Sequence, residues 1–160
     1  LADTPGFMVG PDSDADAAVR RMSRLFVSAA AAQIPFVTIF LRKGYGLGAM
    51  AMAGGSFARP SDCAAWPQGE FGAMGVEGSI SLAFSKQLAA IDDINEREKM
   101  FKSLVDKAYE NGKALNMASY MEIDAVIDPL DTRKWILRGL KATPQPNKKA
   151  GTKRSFIDTW

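Results

Sequence analysis

An α/β domain is what this sequence predicts, on three observations. Two short apolar runs, "FVTIFL" and "SDCAAWP", alternate with longer segments in which apolar residues recur at helical spacing. Each run leads into a glycine-rich connection, "GYGLGAMAM" after the first and "QGEFGAMGVEG" after the second. A length of 160 residues with 47% hydrophobic content suits one compact core.

The elements follow in order. "LADTPGF" opens in mid-phrase, its apolar pair running into Asp3, Thr4, Pro5 and Gly6 as though a strand has just ended upstream, so the chain is expected to be a fragment. Ser13 and Asp16 form an S-x-x-D helix-start signal. A helix is predicted over 14–33, with Ala17, Val19, Met22, Leu25, Phe26 and Ala29 on its apolar face and Pro35 as its stop. The β-branched and aromatic run at 36–41 is the first buried strand, and 61–67, closing at Trp66 and Pro67, is the second. Helices are predicted over 78–91 and 92–111. The latter carries Ile94, Met100, Phe101, Leu104, Val105, Ala108 and Tyr109 near helical spacing and stops at Asn111-Gly112. "MEIDAVIDP" brings a short apolar element to Asp128-Pro129, and "TRKWILRGL" is a terminal amphipathic helix begun by Thr132. Residues 1–141 form the domain; 142–160, with "TPQPNKKAGTKR", form a basic tail whose composition does not pack by itself. There is no internal repeat.

Composition excludes several classes of chemistry. The formal charge is +2, from 20 basic and 18 acidic residues, so no broad field for nucleic acid or an anionic membrane is expected. With Cys63 the only cysteine and no histidine, the chain offers no internal disulfide, no Cys/His zinc site and no Ser-His or Cys-His nucleophile pair. No metal is expected. No apolar run is long enough to cross a bilayer, the first residues lack a charged n-region followed by an apolar h-region, and the reducing cytosol is the expected compartment.

What remains is bare backbone. In "GYGLGAMAM" the glycines let the chain turn sharply, and small residues at the start of the next helix leave backbone N–H groups open to a developing negative charge. On glycine spacing alone, a plain strand-to-helix turn is the stronger reading. A dinucleotide loop is weaker, because Gly44, Gly46 and Gly48 give G-x-G-x-G rather than G-x-G-x-x-G. Arg42 and Lys43 read as a solvated strand-end rim, Trp66 as core packing, Glu70 as a polar candidate, and the methionines as core filler.

Four motifs in order, "DTPGFMVGPDSD", "RKGYGLGAMAM", "AWPQGEFGAMGVEGS" and "DAVIDPLDTR", resemble the carboxyltransferase subunit of biotin-dependent acyl-CoA carboxylases of the propionyl-, acetyl- or methylcrotonyl-CoA type. The likeness runs from Ala2 to about Leu140 and implies a crotonase-like fold of ββα spirals, of which this chain is the later part of the second domain. It implies an activity in which a carboxyl group passes from carboxybiotin, carried on a carrier protein, to the α-carbon of an acyl-CoA. The backbone N–H groups of Gly48 and Ala49 are then the donors to the biotin oxygen. Gly6, Phe7, Tyr45 and Gly46 fall on the biotin side, and Met50 and Ala51 border the acyl pocket. The loop is one residue longer than the family's G-G-A-Y, and Arg21, Met22 and Ser23 stand where relatives often carry histidine, glycine and alanine. Implied partners are the biotin carboxyl carrier and biotin carboxylase subunits and further copies of the protein itself, with the helix faces around Met22, Phe26 and Ile80 as candidate contacts. The alternatives are a decarboxylase running the transfer in reverse, a crotonase-fold hydratase or isomerase, and a scaffold half-domain in a carboxylase assembly.

Overall fold

In the computed structural model, residues 1–32, 34–58 and 62–142 are described; the expected tail, apart from Ala142, lies outside them, as do Gln33 and Ser61. The centre of the fold is one long strand, β2 (Val37–Tyr45), which follows β1 (Ala2–Thr4) and the helices α1 (Pro11–Ala15) and α2 (Ala18–Ala31). β1 pairs with one edge of β2, placing Ala2 beside Phe40 and Thr4 beside Gly44. The other edge is shared lengthwise by β3 (Asp62–Ala65), beside Val37 to Phe40, and β4 (Glu70–Gly72), beside Lys43 to Tyr45. β5 (Ala125–Val126) extends the sheet beyond β3, and every one of these pairings is parallel. A parallel sheet hides both faces. On one face Phe40, Cys63, Ala65 and Phe71 meet Ala49 and Ala53; on the other, Ile39, Ala64 and Ile127 meet Trp66, Trp135 and Ile136.

Between β2 and β3 lies α3 (Gly46–Met52); after β4 come α4 (Val76–Ala83), α5 (Ser85–Ala89), α6 (Ile94–Asn111) and α7 (Ala114–Ser119), and after β5 a 3-10 turn (Pro129–Asp131) and α8 (Thr132–Ala142). Asp93 caps α6 by accepting the amides of Asn95 at 2.7 Å and Glu96 at 3.1 Å. The 92–111 and Thr132 expectations hold to within two residues. Trp66 packs against the second core face and donates its indole N–H to Thr132 Oγ1 at 2.9 Å, tying the end of β3 to the start of α8.

Four expectations change. The opening residues, expected to follow a strand, are themselves strand, β1. The helix over 14–33 is two: α1 opens at Pro11, whose missing N–H suits a first helical position, and the chain breaks at Ala17, which takes a left-handed φ of 52°. The first strand does not stop at Leu41. Arg42 and Lys43 continue it because Asp3 meets both, accepting the Lys43 amide at 2.9 Å and the Arg42 guanidinium at 3.2 Å. The Lys43 amide first, and Arg42 after it, hold the Asp3 carboxyl below its ordinary value against partial desolvation. Finally, 78–91 is α4 and α5, separated at Phe84. Ile80 is buried with Val105 under α6 and so belongs to the core, whereas α2 buries no residue fully. Among the described residues no helix is long and apolar enough to cross a membrane.

Candidate active site

β2 enters α3 without a loop. Tyr45 is the last strand residue and the helix cap, and Gly46 makes the turn with φ +56°, where a Cβ would lie 2.7 Å from the Ala73 carbonyl oxygen. Both facts demand glycine. Gly48 needs it for a different reason: a Cβ there would come within 2.9 Å of the Gly6 backbone and 3.2 Å of Thr4 Oγ1. Thr4 Oγ1 in turn accepts the Gly6 N–H at 3.2 Å, so the Gly6 backbone packs directly on α3 and the Thr4 hydroxyl ties it to β1. A helix that opens at Gly46 leaves the amides of Gly46, Leu47 and Gly48 without intrahelical acceptors. The Ala49 N–H falls where the first intrahelical bond, to the Tyr45 carbonyl, forms.

Two apolar cavities, each of about 490 Å³, flank this opening. The first lies between the Pro5–Val9 turn, the α2 residues Val19, Met22, Ser23 and Phe26, the Gly46-Leu47 step and the Ala73–Gly75 turn. Phe7 and Phe26 meet edge-on across it with ring centroids 6.4 Å apart. The second lies behind the ends of β2 and β4, walled by Met50, Phe57, Phe71, Ala108, Asn111 and Met117. Gly46 and Ala73 line both, so their close approach is the ridge between them.

The sequence-predicted residues divide accordingly. Gly6, Phe7 and Gly46 line the first cavity, and Met50 the second. Gly48, Ala49 and Ala51 are buried in α3 behind the opening, with only their backbone toward it available for chemistry. The Tyr45 side chain is not brought to either cavity wall. It is buried with Val76 and Ile80, and burial first, then the charge of Glu70, pushes its phenol well above the ordinary range. Tyr109 donates to Glu77 Oε1 at 2.8 Å; the carboxyl is held below its ordinary value first by its own backbone amide, then by this hydroxyl. These pairs brace α4 and α6 against the end of β2. Cys63 is buried, and burial, with Asp124 beside it, pushes its thiol up to about 12, which removes it as a nucleophile. A larger concavity along α8, lined by Leu130, Asp131, Arg133 and Lys134, contains none of the predicted site residues.

Sequence reasoning missed Phe57, Phe71, Ala108 and Met117 as walls of one cavity. Their signal is weak because they come from four separate segments, two of which, β4 and α7, are only three and six residues long.

Residues 1–156 match the family model described as the carboxyl transferase domain. The structure of a single-chain, multi-domain long-chain acyl-CoA carboxylase is 52% identical, with a TM-score of 0.73 over 86% of this chain and 14% of that one. The crystal structure of a transcarboxylase 12S hexamer with methylmalonyl-CoA bound is 28% identical, with a TM-score of 0.77 over 94% of this chain and 29% of that one. A subunit of a biotin-dependent acetyl-/propionyl-CoA carboxylase from Mycobacterium leprae is 29% identical over 158 residues, covering 94% of this chain and 29% of its own length. The chain spans less than a third of the length of the curated relatives it matches. The parallel sheet with helices opening at its strand ends is the crotonase-like fold of these carboxyltransferases. With a family match over nearly its whole length and that fold, the chain belongs to the carboxyl transferase domain family.

Proposed function

We propose that these 160 residues are one part of an acyl-CoA carboxyltransferase, in which they hold the biotin side of a site completed by other parts of the protein or by further copies of it. The supporting observation is the α3 opening itself: amides without intrahelical acceptors, set by backbone packing between two apolar cavities, with no reactive side chain among the described residues converging there. The first cavity suits the ureido ring of biotin, a flat neutral group that wants apolar walls and hydrogen-bond donors at one edge. Phe7, Leu47 and Met74 supply the walls, and the amides at the opening supply the donors. When bound, carboxybiotin supplies the carboxyl group that reaches the acyl-CoA α-carbon and the nitrogen on which the displaced α-proton ends.

The work left to the chain is positional and electrostatic. Gly48 and Ala49 are the proposed N–H donors to the biotin oxygen; since the first intrahelical bond takes the Ala49 amide, the Leu47 amide is the neighbouring alternative for the second donor. Donors fixed by packing need no reorganisation as charge develops, which is worth about 10²–10³ in rate per donor in comparable sites. Phe7, Val19, Met22 and Phe26 keep water from the first cavity. The carrier and carboxylase that charge biotin belong to this proposal, whether as separate subunits or as domains of one chain, as does assembly with further copies through the α2 face around Met22 and Phe26.

The test is transfer from carboxylated biotin carrier protein to an acyl-CoA, followed as carboxylated product. The complete protein is expected to form product and the 160-residue chain alone to form none. Turnover by the isolated chain contradicts a shared site, and no product from the complete protein contradicts the carboxyltransferase reading.

A further inference from the structure

We infer that Tyr45 is a positioning residue for the α3 opening: its ring holds the Gly72-Ala73 backbone, and with it the Ala73 carbonyl against which Gly46 packs. The inference rests on the carboxyltransferase reading and adds to it a residue that lines neither cavity. Tyr45 reaches the opening by two routes. Along the chain it is the residue before Gly46, at the cap of α3. Across the sheet its register partner is Gly72, the last residue of β4. A Cβ on Gly72 would come within 3.0 Å of Tyr45 Cε1 and 3.2 Å of its Cδ1, so the ring lies directly against the Gly72 backbone. One residue on, Gly46 and Ala73 meet in turn, a Cβ on Gly46 falling 2.7 Å from the Ala73 carbonyl oxygen. The two contacts are consecutive, and the second is the ridge between the cavities.

The ring is itself held from behind. Tyr45 is 4% exposed and is buried with Val76 and Ile80 of α4 and Val105 of α6. Those two helices are joined in turn where the Tyr109 hydroxyl donates to Glu77 Oε1 at 2.8 Å. A close-packed aromatic in such a cluster transmits a shift rather than absorbing it. The opening is sensitive to shifts of this kind, because misplacing reacting groups by about 1 Å costs about 100-fold in rate. Tyr45, expected on the biotin side, therefore acts there through backbone that its ring keeps in place.

The experiment measures kcat and the acyl-CoA KM of the complete enzyme with carboxybiotin. Tyr45→Leu, which keeps an apolar residue but removes the ring, is expected to lower kcat at least about tenfold with KM within about twofold. Tyr45→Phe, which keeps the ring, is expected to stay within about threefold of the unsubstituted enzyme. Ile127→Ala, a buried change on the other face of the sheet, is expected to lower the unfolding midpoint and to leave kcat within about twofold. An unchanged kcat in a folded Tyr45→Leu enzyme, an equal loss in Tyr45→Phe, or an equal loss in Ile127→Ala overturns the inference. Gly72→Ala reaches the same contact from the other side by driving a methyl group onto the ring, and its loss of kcat is expected to shrink at least about threefold in the Tyr45→Leu background. Additive losses overturn the inference as well. If the unsubstituted protein carboxylates no acyl-CoA, the carboxyltransferase reading falls, and hydrogen exchange decides the inference. The α3 amides, relative to those of β3, are then expected to exchange at least about tenfold faster in Tyr45→Leu and Gly72→Ala and no faster in Ile127→Ala. The same relative exchange in all three overturns it.

Discussion

The chain contains two glycine-rich helix openings that look alike in sequence and differ physically. In α3, Gly48 occupies the third helical position, and a Cβ there would press on the Gly6 backbone at 2.9 Å. In α4, Gly78 occupies the same third position, and its nearest neighbour would be the far end of the Met74 side chain at 3.7 Å. Gly46 at the first opening has a left-handed φ and meets the Ala73 carbonyl, whereas Gly75 at the second has an ordinary φ of −50° and no neighbour within 4 Å. One opening is held in place by the backbones of Gly6 and Ala73 and by the Thr4 hydroxyl, and the other is a turn with room around it. Glycine count alone does not separate the two openings; the space left for the missing Cβ does.

The comparison breaks first at its support. Phe71 packs against Phe40 and Phe57 and lies where a Cβ on Gly44 would come within 2.7 Å of its ring. Phe71→Ala is expected to cost about 3–5 kcal/mol, read from denaturant unfolding. Next, Gly46→Ala combines left-handed strain of about 1–2 kcal/mol with the contact to Ala73, while Gly78→Ala, on an exposed helical position, is expected to be neutral or stabilising by up to about 1 kcal/mol. Equal effects of the two in thermal melts would erase the distinction. The smallest effect concerns Asp3, which anchors the strand leading into the first opening. Because its folded carboxyl is depressed, its contribution is present above the ordinary value of 3.8 and is lost as pH falls through the lower folded value. Being exposed, it is worth under about 1 kcal/mol, and Asp3→Asn should flatten the fall of stability in acid by that much.

Much of the fold was legible where local chemistry agreed with tertiary packing. The β-branched run before Arg42, the Asp93 cap and spaced apolar residues of α6, and Thr132 at the start of α8 each announce their element. Legibility failed where a partner distant in sequence decides. β2 runs on through two cations because Asp3, 40 residues away from Lys43, takes its amide. β4, only three residues within a glycine run, exists because Lys43 to Tyr45 offer it an edge. The site followed the same division: the α3 opening was readable from its glycines, but which of them are sterically required depends on Gly6 and Ala73. Of the two cavities only Gly6, Phe7, Gly46 and Met50 were named for the site from sequence; the remaining walls were not readable, since each cavity draws on at least four separate segments.

The most direct measurement is the paired kinetics of Gly48→Ala and Gly78→Ala in the complete enzyme, with carboxybiotin and a fixed acyl-CoA. Gly48→Ala is expected to lower kcat by about 100-fold or more with the acyl-CoA KM little changed, because the substitution pushes the α3 amides off the Gly6 backbone that positions them. Gly78→Ala, the same change at the same helical position, is expected to stay within about twofold of the unsubstituted enzyme. A folded Gly48→Ala enzyme with unchanged kcat would contradict the claim that the packed opening of α3 is the catalytic element.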